Sequence, residues 1–443
     1  MFKTLINAFK VKDLRKRIFF VLFCLVVVRL GCQIPAPGIN QELVSSWLSN
    51  MELGFFDALT GGSFTQMSIL ALNISPYINS SIIMQLMTIA IPALAEMQKD
   101  GETGRKKIAE ISRYLTIVLA LIESGAMAIG FSNNGYTSKS GVLTIILIMV
   151  TFTAGSAFLM WLGENITEYG VGNGVSIILT INIVAKLPSD FKNLYQVFIK
   201  GADSVPKGVL AGFIIAAVVI VTVVFIILLQ DAIRRIPVQY SQKIVGRRLM
   251  GGQGSFIPLK VNTSGVIPVI FAISLFQFPI IIASFLGVKG ATGSSASFFQ
   301  KFLYLINDSN WFNFDSMDEF KYTLGAVIYV LLIIFFAYFY TSVTFNPMEV
   351  ANNMKKSGGF IPGIRPGKPT TEHLTTILNR IVFIGAIMLS IVALLPIVFA
   401  GVFNARVSFG GTSLIIIVGV VLETLKQIES MMVERHYKGF LNA

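Results

Sequence analysis

Apolar residues gather in ten long runs, at about 18–35, 74–92, 114–131, 142–162, 175–188, 209–229, 265–286, 322–343, 381–402 and 412–428. Polar stretches containing Gly and Pro separate them. A helix rising 1.5 Å per residue needs a run of about this length to cross roughly 30 Å of hydrocarbon. The pattern therefore predicts ten transmembrane helices. Two runs are weak. The fifth, Val175 to Pro188, is short and carries Asn182, and the tenth is uninterrupted only from Ser413 to Leu422, before Glu423. Helices too short to face lipid alone suit enclosed positions that line an interior path.

The polar positions are as informative as the apolar ones. Residues 54–73 are apolar enough for membrane depth, yet Gly61, Gly62 and several Ser and Thr residues make a poor lipid-facing helix. Irregular backbone at that depth is tolerated only inside the protein or against a cavity. The run from Ser75 to Gln85 has a polar face of Asn79, Ser80, Ser81 and Gln85, with Ile78 and Ile82 at i, i+4 on one face. The fifth run repeats that spacing with Leu179 and Ile183. Aliphatic pairs on poorly lipophilic helices would form a hydrophobic constriction in a wet path. Ordinary helix packing uses the same spacing, so the residues alone leave both readings open.

Composition agrees with lipid as the main solvent, since 54% of the 443 residues are hydrophobic and only 13% charged, about half the usual charged share. The net charge of +12 would suit nucleic acid, but its placement follows the loops. Six Lys and Arg precede the first run, five lie in 97–113, six in 230–263, five in 344–380 and three from Lys426 onward. The other side of an alternating ten-span chain holds nine, and Arg29 lies within the first run. That asymmetry puts both termini in the cytoplasm. Lys186, Lys192, Lys200 and Lys207 run against the rule, offset in part by Asp190 and Asp203. The basic N-terminus ahead of the first run imitates a signal peptide. However, Arg29 within it and the absence of a small-residue cleavage pattern mark a retained span.

Enzymes and ion-coupled transporters need ionisable groups converging within the membrane. Arg29, near the outer end of its span and able to snorkel, and Glu123, mid-span and suited to a hydrogen bond with a neighbouring helix, are the ones present. No Walker motif or nucleophile–base pairing occurs, so no catalytic residue, cofactor site or nucleotide site is expected. Gly170-Val-Gly-Asn-Gly174 follows no predicted strand and reads as a tight turn between helices. Cys24 and Cys32, about 12 Å apart along a helix axis, cannot pair. With two distant His residues they make no metal site. Two long basic loops remain, 230–263 and 344–380, whose Gly and Pro residues specify turns.

At these positions the chain resembles the SecY family of protein-conducting channels. The matching stretches are Ile34–Ile39, Ser75–Ile78, Ile83–Leu86, Gly170–Ile177, Pro258–Asn262, Gly265–Phe271, Phe345–Pro347, Phe360–Gly367 and Gly410–Leu414. They run in family order along essentially the whole chain. The resemblance implies an all-α membrane protein: ten transmembrane helices in two pseudo-symmetric inverted five-helix halves around a central hourglass pore. The implied division is a cytoplasmic segment 1–17, a first half 18–188, an exterior hinge loop 189–208, a second half 209–428 and a tail 429–443. It implies a pore ring of Ile78, Ile82, Leu179, Ile183, Ile270 and Ile416, with Leu at 179 in place of the commoner Ile. A plug at about 56–72 would include Thr60, Gly61, Gly62, Ser63, Phe64, Thr65, Ser68, Ile69 and Leu72.

The resemblance also implies a lateral gate between spans two/three and seven/eight, to which Gln85 and Glu123 are assigned. Arg247, Arg248 and Arg365 would dock the ribosome or the SecA ATPase. Implied partners further include SecE and SecG in a heterotrimer, unfolded preproteins, signal peptides and membrane lipids, at the bacterial inner membrane. A secondary transporter for a small solute would share inverted repeats and broken helices, but calls for charges paired at the midplane. An assembly factor without a continuous pore is a third reading. Leakage after deletion of residues 60–70 separates them.

Overall fold

The computed structural model describes residues 6, 8–44, 60–139, 141–196, 205–240, 243–245, 248–250, 255–285, 288, 297–307, 311, 323–403 and 411–441. Each of the ten apolar runs coincides with a helix. In the first half these are α1 (Lys12–Gly31), α2 (Ser75–Ala90), α4 (Glu102–Asn133), α5 (Val142–Tyr169) and α6 (Gly174–Leu194). Between α2 and α4 lies the short α3 (Pro92–Lys99), turned by 104° from α2 at Ile91. Pro92 explains the break, because its ring excludes a continuous helix. The second half contains α7 (Val205–Asp231), α8 (Ile267–Phe285), α10 (Leu324–Thr344), α12 (Lys368–Phe403) and α13 (Gly411–Leu441). Two short helices, α9 (Phe298–Ile306) and α11 (Pro347–Lys356), sit in its connections.

The packing shows the internal symmetry directly. In the first half α2 touches α4, α4 touches α5, α5 touches α6, and α1 lies against both α5 and α6. The second half repeats this neighbour for neighbour: α8 on α10, α10 on α12, α12 on α13, and α7 against α12 and α13. Five spans is an odd number, so the second copy must enter the membrane from the opposite side. The same packing is thereby inverted. The halves meet where α6 touches α13 and where α8 touches α2 and α4.

Several helices outrun their apolar runs at the end carrying the basic loops. Helix α4 starts at Glu102, α12 at Lys368, and α13 reaches Leu441. Charged residues such as Lys, Arg and Glu are good helix formers, so the hydrogen-bonded ladder continues where hydropathy has stopped. The expected hinge over 189–208 is shortened in the same way, because α6 runs to Leu194 and α7 begins at Val205.

The two basic loops hold more than turns. Strand β1 (Ile233–Tyr240) pairs antiparallel with β4 (Ser255–Lys260), with Arg235 opposite Pro258. On its other side β1 pairs with the two-residue β5 (Gly359–Phe360), so both loops share one small sheet. Between β1 and β4, β2 (Lys243–Val245) and β3 (Arg248–Met250) form a hairpin of their own. Ile236 and Val238 point to one face of β1 and pack with Leu259, Ala351, Met354, Ile361 and Leu374. Helix α11 beneath starts on Asn346, whose Oδ1 accepts from the N–H groups of Met348 and Glu349, with Pro347 at its first position.

The turn read at Gly170–Gly174 is present and tight. Gly172 has φ +85, Asn173 caps α6 by accepting from the Ser176 N–H, and Thr167 Oγ1 accepts from the Gly174 N–H at 2.8 Å. A Cβ on Gly174 would lie 1.9 Å from the Gly163 carbonyl oxygen. Gly174→Val should therefore push α5 and α6 apart and destabilise the protein by about 1–3 kcal/mol. A lowered unfolding temperature of the detergent-solubilised protein would show it, and an unchanged one would contradict this account of the turn.

Candidate functional site

The helices that touch across the two halves, α2 with α8 and α6 with α13, also carry the six aliphatic residues expected to form a ring. Ile78, Ile82, Leu179, Ile183 and Ile416 are buried within one large hydrophobic cluster, and Ile270 packs against that cluster. The i, i+4 spacing within α2 and within α6 brings two successive turns of each helix to the same place. Among the helices long and apolar enough to cross alone, α6 is the least hydropathic. Its place at the junction of the halves, against α5, α1 and α13, explains why it needs less lipophilic surface.

The irregular stretch leading into α2 contributes Leu70 and Ile74 to the same cluster. Residues 61–74 form successive turns, while residues 54–59 lie outside the described residues. Gly61 and Gly62 have φ of +65 and +83, and Met67 and Asn73 also adopt left-handed backbone at +48 and +51. That conformation is uncommon without Gly, and a bulky Met holds it only when surroundings impose it. The surroundings here are close. The Ala36 N–H donates to the Met67 carbonyl and the Ile69 N–H to the Ile34 carbonyl, both at 2.9 Å. The Ser63 hydroxyl donates to the Thr60 carbonyl at 2.8 Å.

Phe64, Met67, Ala71 and Leu72 pack on Ala36, Met127, Phe131 and Phe152. Gly155 lets α5 approach so closely that a Cβ there would stand 2.0 Å from the Ile69 oxygen. Of the expected plug residues, Thr60, Ser63, Phe64, Ser68 and Leu72 are buried; Gly61, Gly62, Thr65 and Ile69 are half-buried.

Arg29 does not snorkel as its position in the sequence suggests. Its Nη1 donates to the Gly61 carbonyl at 3.3 Å and to Asn182 Oδ1 at 3.5 Å. The irregular stretch folds back over the end of α1 and offers the Gly61 carbonyl as one acceptor, and α6 offers Asn182 as the other.

At the junction of α2, α4 and α8 the apolar packing is interrupted by polar groups. Asn79 Nδ2 donates to Glu123 Oε1 at 3.2 Å, and Glu123 is only 6% exposed. Ser274 and Gln277 of α8 line the same pocket as Asn73, Asn79 and Glu123, with Ile78, Leu179 and Ile281 beside them. Glu123 thus makes the inter-helix bond read from its mid-span position, and it faces the seam. Gln85 does not share this pocket. Its Nε2 donates to Ser81 Oγ one turn back along α2, and its Oε1 is buried with no hydrogen-bond partner among the described residues. Asn79, Ser274 and Gln277 were missed as seam residues; their signal was a polar group on an otherwise apolar helix.

The basic residues are placed unequally. Arg365 is exposed on the turn 361–367, which Thr370 steadies by donating its hydroxyl to the Arg365 carbonyl at 2.8 Å. Arg247 lies outside the described residues, and Arg248 opens strand β3. Among the described residues, no three His, Cys, Asp or Glu side chains come together as metal ligands.

The family model named SecY matches residues 68–425. The chain is 42% identical to the protein translocase subunit SecY of Halalkalibacterium halodurans and 42% identical to that of Bacillus subtilis, over 100% of both chains in each case. Among solved structures it is similar to one described as showing that the plug domain of the SecY protein stabilises the closed state of the translocation channel and maintains a membrane seal. That likeness has a TM-score of 0.60 at 16% identity and covers 95% of this chain and 93% of the other. The idle yeast Ssh1 complex bound to the 80S ribosome gives a TM-score of 0.62 at 16% identity, covering 94% and 89%.

Asn79 and Glu123 lend themselves to a double-mutant test. Asn79→Leu alone leaves a buried carboxyl without its donor and should cost about 1–3 kcal/mol. Adding Glu123→Leu should recover most of that loss, since both polar partners are then gone. Thermal unfolding of Asn79→Leu, Glu123→Leu and the double variant in detergent reads it out; strictly additive losses would mean the pair does not interact.

Proposed function

The chain belongs to the SecY family, and on that footing we propose how this multi-pass membrane protein, the pore-forming subunit of a protein translocase, works. Six aliphatic side chains from α2, α6, α8 and α13 close the path at the meeting of the two halves. Taking an ion out of water into apolar surroundings costs far more than thermal energy, and Ile and Leu offer nothing to replace its hydration. The ring therefore resists ions, yet its side chains can part around an unfolded polypeptide. The observation that carries this reading is that all six residues belong to or pack against one hydrophobic cluster, of which Leu70 and Ile74 of the irregular stretch are also members.

That stretch acts as the plug, a second and displaceable seal. The contacts of α8 with α2 and α4 are the lateral gate, with Glu123 and Asn79 among its polar groups. A signal peptide, itself an apolar helix, replaces helix–helix contacts at this seam and shifts the population toward the open form. Membrane-protein helices leave through the same seam into lipid. The exposed Arg365, with Arg247 and Arg248, docks the ribosome or the SecA motor, which supplies the driving force. SecE and SecG complete the complex in the bacterial inner membrane, and both termini of this chain lie in the cytoplasm.

Three measurements bear on these assignments. Deleting residues 60–70 should make the channel leak in planar bilayers; a small-solute transporter would stay sealed. Ile82→Asn or Ile416→Asn should admit export of preproteins with defective signal sequences, and unchanged stringency would count against the ring. Arg365→Glu should slow motor-driven export while the protein still accumulates in the membrane, and normal export would remove Arg365 from the docking surface.

A further inference from the structure

Two polar residues in the interior belong to neither the ring nor the seam. Asn182 is 1% exposed on α6, and Arg29 is half-buried in the last turn of α1. A basic group there complements the helix dipole whatever it touches, but the dipole does not choose acceptors. Arg29 Nη1 reaches two of them, the Gly61 carbonyl and Asn182 Oδ1. Asn182 Nδ2 in turn donates to Asn73 Oδ1 at 3.3 Å. Asn182 is therefore bonded directly to Asn73 at the end of the irregular stretch and, through Arg29, to Gly61 near its beginning.

The backbone at Gly61 shows the same fit independently. A Cβ there would meet Arg29 Nη1 at 2.7 Å and the Asn182 Cα and carbonyl oxygen at 2.9 Å, on a residue already at φ +65. No side chain larger than hydrogen can sit at this crossing without moving α1, α6 or the plug. Asn182 also stands three residues after Leu179 and next to Ile183, so its helix carries two of the six ring residues.

We propose that Arg29 and Asn182 form a latch that positions the plug over the pore and couples its release to the ring. A polypeptide that parts the ring displaces α6 through Leu179 and Ile183. Asn182 moves with α6, and the bonds to Arg29 and Asn73 open together. Arg29 is thus a positioning residue for the channel's resting seal. The proposal rests on residues 60–72 being the plug, and its test separates the two ideas.

The complete translocase in planar bilayers provides the readout. Arg29→Met keeps the length of the side chain and removes its donors. It should raise resting conductance about tenfold, the size of one hydrogen bond to a charged group. Arg29→Lys, which retains a charged donor, should restore most of the seal. Gly61→Ala, which crowds the same crossing while leaving the sequence of α1 unchanged, should leak as Arg29→Met does. Combining Arg29→Met with deletion of 60–70 should leak no more than the deletion alone. A leaking deletion with a sealed Arg29→Met or Gly61→Ala would overturn the latch and leave the plug standing. Leakage from Arg29→Met that adds to that of the deletion would also overturn it, because Arg29 would then act elsewhere. If the deletion itself stays sealed, the plug assignment fails and the latch with it.

Discussion

Backbone N–H and C=O groups left bare at membrane depth cost several kcal/mol each, and most of this structure follows from meeting that cost. Helices meet it internally, which is why every apolar run is helical. The stretch 60–74 cannot, and it is accommodated by the protein itself. It pairs with residues 34–36, closes turns on its own serines, and lies against α5 where Gly155 removes a side chain. A non-helical segment so fully enclosed is stable only while its enclosure is intact. That conditional stability is what a displaceable seal requires.

The second dependence is on counting. Because each half holds five spans, the repeat is inverted, and corresponding helices meet around a common axis: α2 with α8, α6 with α13. Those helices need not be equally lipophilic, since neighbours cover them. Asn79, Glu123, Ser274 and Gln277 where α8 meets α2 and α4, and the buried Asn182 bonded to Asn73, are tolerated because neighbours enclose them. Polar groups that would be expensive against lipid become bonds whose rupture can be driven by a competing helix or chain.

Much of this is readable from residues alone. The ten spans stand out because lipid imposes one length and one polarity, and the weakness of 175–188 points to an enclosed helix. The turn at 170–174 is encoded locally by Gly172 and Asn173. What stays hidden is whatever depends on a distant partner. Nothing near Gly359 or Phe360 announces a strand, because its pairing partner Tyr240 is over a hundred residues away and β-pairing is set by context. Arg29 at a helix end reads as a snorkelling side chain, since its acceptors, the Gly61 carbonyl and Asn182 Oδ1, lie far along the chain. Gln85 shares a polar face with Asn79, yet only Asn79 reaches the seam pocket. One turn and a half of helix decides that, and pattern cannot.

The small sheet has a mechanical meaning. Strand β1 continues from α7, while β5 precedes α12, and those two helices touch each other in the second half. Among the described residues, the strands of this sheet all lie between helices of the second half. A partner gripping both basic loops therefore holds a handle fixed to one half of the molecule alone. Force applied there enters through α7 and α12 and reaches the first half across the contacts of α6 with α13 and of α8 with α2 and α4.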